Sequence, residues 1–561
     1  MATRTLTTRE RMELRNTGLY ARRKPYEADW DEIARLALPS RSDILGSRSA
    51  VKRRANVSSH DTAGRIAGRR LVNGMSTGLS SSSRPWFKLA TSDRDMLEYQ
   101  PVKEWLALVE RAIYDLFAST NYYDATKLSY AELGHMGVSA TVGLEHPDYT
   151  AVWHPLPVGQ FWIGLDDGLR VSMLVRKSHP TVDQLVNEVR DWNKLSRAVK
   201  NLYDRGDIHV LVPCTHTIEA NKDRTGNSLA VSDKPWRSVK WEDGQDNKDV
   251  LLTVGGFDSK PITAPRWETL GDQVYCDSSP GFDALPDLRE LQLAARRKGR
   301  AMDMTVKPPM KAPAGLSRTG LSLDPGTMNW MDAVSAENVG PLIQSDYRVI
   351  GAIREDIGFI TERVNQLFYA DLFMAISDME GVQPRNEQEL LYRNEEKLTQ
   401  LGPVVDRVNI EKLEVDIDRA YTILQNLGQL PPPPPELEGK PLTVDFISIL
   451  AQAQRAAANT AIERAARFVG FIAGMFPDAA VKFDAEQAID EFATNSGTSP
   501  RIIRSDEIVE EMRAQAQAQQ QAEQAAAMAP AAREGAQAAE LLSRTQVDPG
   551  GNTMLNRLMG Q

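Results

Sequence analysis

Ile350, Ile353, Ile357, Ile360, Val364 and Leu367 recur three and four residues apart. That spacing draws a narrow apolar seam, the pattern of helices packed side by side, so this stretch needs a partner helix along its length. The segment 283–304 offers one: it reads as helical and becomes strongly basic near its end, at Arg296, Arg297, Lys298 and Arg300. Between the two, residues 305–345 carry KPPMKAPAG and LDPGTMN, whose prolines and glycines exclude a long helix. The pattern predicts a two-helix stalk interrupted by a compact, loop-rich module.

The remainder of the chain has to be organised around that stalk. In 62–79, Ala63, Ala67 and Gly74 would let another backbone come close, and SSSSRPWFKL then ends the helix, because Pro85 restricts Arg84 to extended geometry. Val102, Trp105, Leu106, Val109, Ile113, Leu116 and Phe117 mark one face of a helix over 102–118. FWIGL and LRVSMLVRK flank Asp166-Asp167-Gly168, a hairpin signal. Thr181 and Gln184 stand at capping-box spacing, and strand-like pieces follow at 208–217, 235–242 and 249–257, so 140–265 reads as mixed α and β. Gly381 and Pro384 break the helix after the seam, and a further helical pattern runs from about 387 to 428. Pro431 to Pro435 form a stiff connector; 443–476 is Ala-rich and helical in pattern, and 505–543 is an Ala/Gln-rich stretch that favours helix but has little to pack alone. The fold class expected is α+β, mainly helical.

Charge and chemistry narrow the function. The opening residues lack the apolar core of a secretory signal, and the longest apolar run, FVGFIAGMF at 468–476, is too short to span a bilayer, so no membrane partner is expected. Cys214 and Cys276 are the two cysteines, too few for a disulfide framework and suited to a reducing cytoplasm. The net charge of −10 argues against a sequence-reading DNA binder, although residues 1–70 alone carry +8. That excess reads either as a basic face or as incidental charge on solvated helices. No GxxxxGK[ST], GxGxxG after a strand, GxSxG or HExxH occurs. His209, Cys214 and His216 lie close together, but no second paired motif completes a metal site, and strand residues are the simpler reading. Asp166-Asp167 sits in a turn rather than in an acid/base pair. No catalytic residue, cofactor or metal is assigned. Two classes remain to be weighed: an enzyme built from scattered carboxylates, and a helical scaffold or adaptor.

Short blocks along the chain, in order, carry a resemblance. They are Trp30 with the ALPSR run ending at Arg41; Asp61-Thr62-Ala63; Gly78-Leu79 and Arg84-Pro85-Trp86-Phe87-Lys88-Leu89; Gly256-Phe257, Pro265-Arg266-Trp267 and Tyr275; Ser279-Pro280-Gly281 through Asp287; and Leu401-Gly402-Pro403, Arg407, Glu411 and the proline run. This collinear set resembles the head-to-tail connecting, or portal, protein family of short-tailed bacteriophages. Tyr275-Cys276, where the family usually has glycine after the tyrosine, and GVQPRNEQ at 381–388 depart from its pattern.

The resemblance implies a portal-type subunit: N-terminal helices and an α/β wing (1–282), stem helices (283–304 and 346–377), a clip (305–345), a channel loop (378–388), a wing helix (389–430), a Pro-rich linker (431–442), a crown (443–504), a C-terminal barrel helix (505–545) and a tail (546–561). It implies a ring of twelve copies at one capsid vertex, with double-stranded DNA passing through. The partners implied are a terminase packaging motor, major capsid and scaffolding proteins and a tail adaptor, with assembly in the host cytoplasm. Gln383, Arg385 and Asn386 are then expected to touch DNA from the channel loop. Arg296, Arg297, Lys298 and Arg300 would form a belt facing DNA or a neighbouring subunit, and Lys307 and Lys311 would make clip contacts.

Overall fold

The computed structural model describes residues 7–39, 60–91, 99–226, 230–245, 247–313, 324–331, 340–342, 347–373, 401–437, 440–447, 462–472, 482–495 and 512–517, with a few isolated positions besides. The chain divides into two units, Met1–Ala457 and Ala458–Gln561. The first is a mainly helical α+β fold.

Helix α1 (Thr8–Arg23) opens with a capping box, Thr7 and Glu10 each bonding the other's backbone N–H, and α2 (Glu27–Ala37) follows after one 3-10 turn. Two arginines of α1 point inward: Arg9 donates to the Glu242 carbonyl and Arg23 to that of Phe161. Part of the N-terminal basic excess is therefore used inside the fold, whereas the sequence suggested only surface roles for it.

Helix α3 (Ala63–Leu79) packs on α5 (Tyr122–Met136), with α4 (Gln100–Ser119) between them in sequence. The buried residues of α4 are the seven of the apolar face read above. Small residues on α3 do what their size allows: a Cβ at Gly74 would lie 2.0 Å from the Phe373 ring. Gly137 ends α5 in the left-handed conformation, φ 74°, and its N–H bonds Leu133 O.

Among the described residues four sheets accompany the helices. Strands β2 (Ala140–His146), β3 (Thr150–Leu156) and β9 (Ile262–Thr263) form one in the order β3-β2-β9. Strands β4 (Phe161–Leu165), β5 (Val171–Ser178), β6 (Cys214–Ala220), β7 (Trp236–Glu242) and β8 (Thr253–Phe257) form an antiparallel meander in chain order. The Asp166-Asp167-Gly168 turn joins β4 to β5, Asp166 accepting from Gly168 N and Arg170 N. Helices α6 (Val182–Val189, with the Thr181–Gln184 capping box) and α7 (Arg197–Asp204) are inserted between β5 and β6. Strand β6 runs to Ala220 instead of starting at 208; Val210 and Leu211 are exposed and contribute only a single bridge, Thr181 to Leu211.

After the short α8 (Pro280–Asp283), α9 (Leu285–Val306) leads to a small sheet in which β10 (Met310–Pro313) lies between β11 (Met328–Met331), parallel, and β12 (Gly340–Pro341), antiparallel. Helix α10 (Tyr347–Leu367) then returns along α9. Helical residues 401–408 continue through a π turn, Asn409–Leu413, into α11 (Glu414–Asn426).

One expectation is overturned at the end of this unit. Residues 443–446, read as the start of an Ala-rich helix, belong to β13 (Leu442–Phe446), paired with β1 (Phe87–Thr91) in the register Phe87↔Phe446. LTVDF alternates apolar and polar residues, which a strand with one buried face requires. Helix α4 covers the other edge of β1: Tyr114 Oη accepts from Trp86 N and Phe87 N, and Glu110 accepts from Leu89 N at 2.7 Å. In the second unit, residues 462–472 and α12 (Ala485–Asn495) are helical, with Phe468, Phe471 and Ile489 exposed.

Candidate functional site

The helix pair α9/α10 carries the belt residues. Pro286 lies in the first turn of α9 and Asp287 faces its N-terminus, both favourable there. Near that end, Arg363 of α10 donates to Asp287 through Nε at 2.8 Å and reaches Glu290 at 3.6 Å, so the two helices run antiparallel. Leu288, Leu291 and Ala294 on one side, and Ile360 and Val364 on the other, are the buried part of the seam; Ile350, Ile353, Ile357 and Leu367 are only half-buried. Arg296, Arg297 and Arg300 are exposed and Lys298 is half-buried. Arg300 pairs with Asp324 at 3.6 Å. Lys307, exposed just beyond α9, accepts from Gly326 N through its carbonyl, and Lys311 lies on β10. Gln383, Arg385 and Asn386 fall outside the described residues.

A second set of charges sits deep in the fold, where the sequence assigned no role. Arg266 and Glu411 form an ion pair at 2.6 Å, and the second carboxylate oxygen of Glu411 accepts from Arg266 N. Arg407 donates to Thr269. The Pro265-Arg266-Trp267 and Arg407 to Glu411 blocks, far apart in the chain, are thus clasped together. Lys412 and Asp416 pair at 2.9 Å with both side chains buried. Burial raises the Asp416 carboxyl while the Lys412 ammonium opposes that shift. Arg419 bonds the Gly143 carbonyl and reaches Glu145 at 3.2 Å, tying α11 to β2. The signal that could have revealed them is the charge of Arg419 and Asp416 among the apolar positions Ile417, Ala420, Ile423 and Leu424 of one helix.

The residues considered for chemistry are engaged structurally. His216 Nδ1 accepts from Arg176 Nε at 2.9 Å, which leaves Nε2–H to bond Ser238 Oγ; burial and the neighbouring Arg176 hold its pKa well below the ordinary value. Cys214 belongs to a small apolar cluster with α6 and α7, and burial pushes its thiol up to about 12. Cys276 Sγ accepts from Glu268 N and Ser278 N, in the turn where the sequence departs from the family pattern. Among the described residues no group of three or more His, Cys, Asp or Glu could hold a metal ion, and no helix is long and apolar enough to cross a membrane.

Buried ion pairs that hold the fold, together with a helix pair whose outer side is left uncovered, define a structural subunit suited to association with other subunits. Residues 9–503 match the family described as bacteriophage head to tail connecting protein. The portal protein of Salmonella phage epsilon15 is 35% identical over 558 residues, 99% of both chains. A protein of Bordetella phage BPP-1, named a probable portal protein, is 36% identical over 493 residues, 86% of this chain and 87% of that one. A chain from the virion of a native gene transfer agent particle aligns with a TM-score of 0.30 at 11% identity, over 77% of this chain and 99% of that chain, a likeness too slight to add to the argument. The chain belongs to the family of bacteriophage head to tail connecting proteins. Its role is that of a phage portal, a structural virion component that joins head to tail, with the ring assembly and the association with capsid and tail that this role entails.

Proposed function

We propose that twelve copies of this chain close into a ring at one capsid vertex, through which double-stranded DNA is packaged and later ejected. On this reading α9 and α10 are the stem, the β10–β12 sheet the clip, and the region from α1 to β9 together with α11 the wing. A terminase motor docks on the ring during filling and a tail adaptor afterwards, while major capsid and scaffolding proteins surround it; assembly takes place in the host cytoplasm. The chain acts as a conduit, not an enzyme.

The observation that carries the ring reading is what α9/α10 leave open. Phe359 is 71% exposed and Val306 76%, with Leu293 and Met302 also exposed along the same pair. Large apolar side chains placed outward along a helix pair mark a surface that another chain covers. The net charge of −10 supports passage over capture, since an acidic conduit avoids the phosphate contacts that would hold DNA. Gln383, Arg385 and Asn386 would touch the passing duplex, and Lys307 and Lys311 would meet the docked partners.

Native mass spectrometry with end-on electron microscopy of the purified chain tests this. A closed ring of about twelve copies with a central hole is expected; a monomer or dimer at every concentration and salt tried overturns it. Deleting 381–385 should then impair DNA packaging while rings persist, and unchanged packaging would remove the DNA role of that loop.

A further inference from the structure

The helical phase of α9 and α10 sorts their residues into two sides. On α9 the buried side holds Leu288, Leu291 and Ala294. At 100° per residue, the side turned directly away holds Arg289, Leu293 and Arg296. On α10 the buried side holds Ile360 and Val364, and the opposite side holds Glu355, Phe359 and Glu362. All six outward residues are exposed. One outer stripe is thus basic around a leucine, and the other acidic around a phenylalanine.

The two stripes also match in height. Counting along the antiparallel helices from the Arg363 contacts to Asp287 and Glu290 sets Glu362 level with Arg289, Phe359 with Leu293, and Glu355 with Arg296. Rotation about a ring axis that runs along the pair moves a residue sideways without changing its height. The α9 of one copy then meets the α10 of the next with every level complementary: cation to carboxylate at the two outer levels and leucine to phenylalanine between them. The residues contacted differ on the two partners, which is the head-to-tail geometry that closes a ring instead of ending at a dimer. Within one chain Arg289 is already paired with Glu32, so that level contributes less than the Arg296 level.

We propose that the outward α9 stripe is the docking surface for the outward α10 stripe of a second copy of this chain, with Arg296 opposite Glu355 and Leu293 against Phe359. This inference rests on the ring reading above, and it assigns Arg296 of the basic belt to a protein neighbour instead of to DNA. The partner is fixed by charge and by register together: a duplex would complement the α9 stripe but would be repelled by the α10 stripe.

Charge exchange on the full chain tests it. Arg296→Glu alone, or Glu355→Lys alone, places like charges across every interface, and the ring fraction at equal subunit concentration should fall about tenfold or more. The double variant Arg296→Glu/Glu355→Lys restores an opposite pair with reversed polarity and should recover rings. An equimolar mixture of the two single variants should also recover them, because copies in alternating order meet Arg to Glu and Glu to Lys. Both positions point away from the fold, so circular dichroism and thermal melting of the variants should match the wild type. Single variants that form rings at the wild-type level overturn the pairing while leaving the ring reading intact. Folded variants that neither the double exchange nor the mixture restores overturn it equally. If the wild-type chain itself forms no ring, the ring reading fails first and the pairing fails with it.

Discussion

Between β2 and α11, charges are answered within the chain: Lys412 and Asp416 are at 0% and 3% exposure and paired, Arg266 holds Glu411, and Arg419 spans from α11 to the Gly143 carbonyl. Along α9/α10 the arrangement is the opposite, with Arg296, Glu355 and Glu362 open to solvent beside an exposed Phe359. Both regions are rich in charge, yet the same residue types do different work. Deep in the subunit a charge is tolerated because a partner and hydrogen bonds meet it, and removing that partner leaves a desolvated ion. On the outer helices a charge costs the fold almost nothing, so it is free to select a neighbour. Charges that hold one copy together are thus distinct from those left available to a neighbour.

The largest effect is expected at Asp416. Asp416→Ala strands the buried Lys412 ammonium and should lower subunit stability by about 3–5 kcal/mol, read as a shift of the urea midpoint at pH 7. A midpoint unchanged within error would mean that the pair is not a support of the fold. Next comes Gly281, at the start of α8, where a Cβ would sit 2.0 Å from the His135 carbonyl oxygen. Because that obstacle is backbone, it cannot swing aside as a side chain would. Gly281→Ala should therefore cost about 1–3 kcal/mol and spare the secondary structure seen by circular dichroism.

A smaller effect is expected at the β1 edge and depends on pH. Burial pushes Glu110 up to about 7, against the opposing hydrogen bond from Leu89 N and the charge of Lys88. The folded state therefore binds a proton that the unfolded chain, with an ordinary carboxyl near 4.5, has released. The contribution of Glu110 is greatest below pH 4.5 and is lost as pH rises towards 7. Glu110→Gln keeps an acceptor for Leu89 N without the charge. It should be more stable than wild type by about 1–2 kcal/mol above pH 7, and the gap should close as pH falls towards 4.5. A gap independent of pH would show that Glu110 does not titrate in that window.

How far the sequence alone reached differs between these regions for physical reasons. The seven buried residues of α4 and the Asp166-Asp167-Gly168 turn were legible because a helical face and a hairpin turn are written in neighbouring residues. The β1–β13 pairing was not, because LTVDF gains its strand character from FKLAT at the other end of the unit. Lys412 and Asp416, four apart on a helix, have the spacing of a surface pair and carry no local sign of burial; Tyr122 from α5 covers them, its ring 5.8 Å from the Lys412 ammonium. The family blocks placed Arg266 and Glu411 in the right order without showing that they touch. The basic run Arg296 to Arg300 is plain in the sequence, but the α10 stripe proposed to face it is not, since matching the two needs the antiparallel register that Arg363 fixes.

The smallest effect on the fold is expected at Phe359. Its ring is 71% exposed, so Phe359→Ser removes little contact that one copy makes. Unassembled subunits should keep their urea midpoint within about 0.5 kcal/mol of wild type. On the proposed pairing Phe359 lies at the apolar centre of the interface, so the same substitution should reduce ring formation measured by native mass spectrometry. The two readouts must separate for the distinction between the regions to hold. If the midpoint fell together with the rings, Phe359 would be supporting its own subunit, and the outer face of α10 would have to be counted with the buried charges of α11 instead of against them.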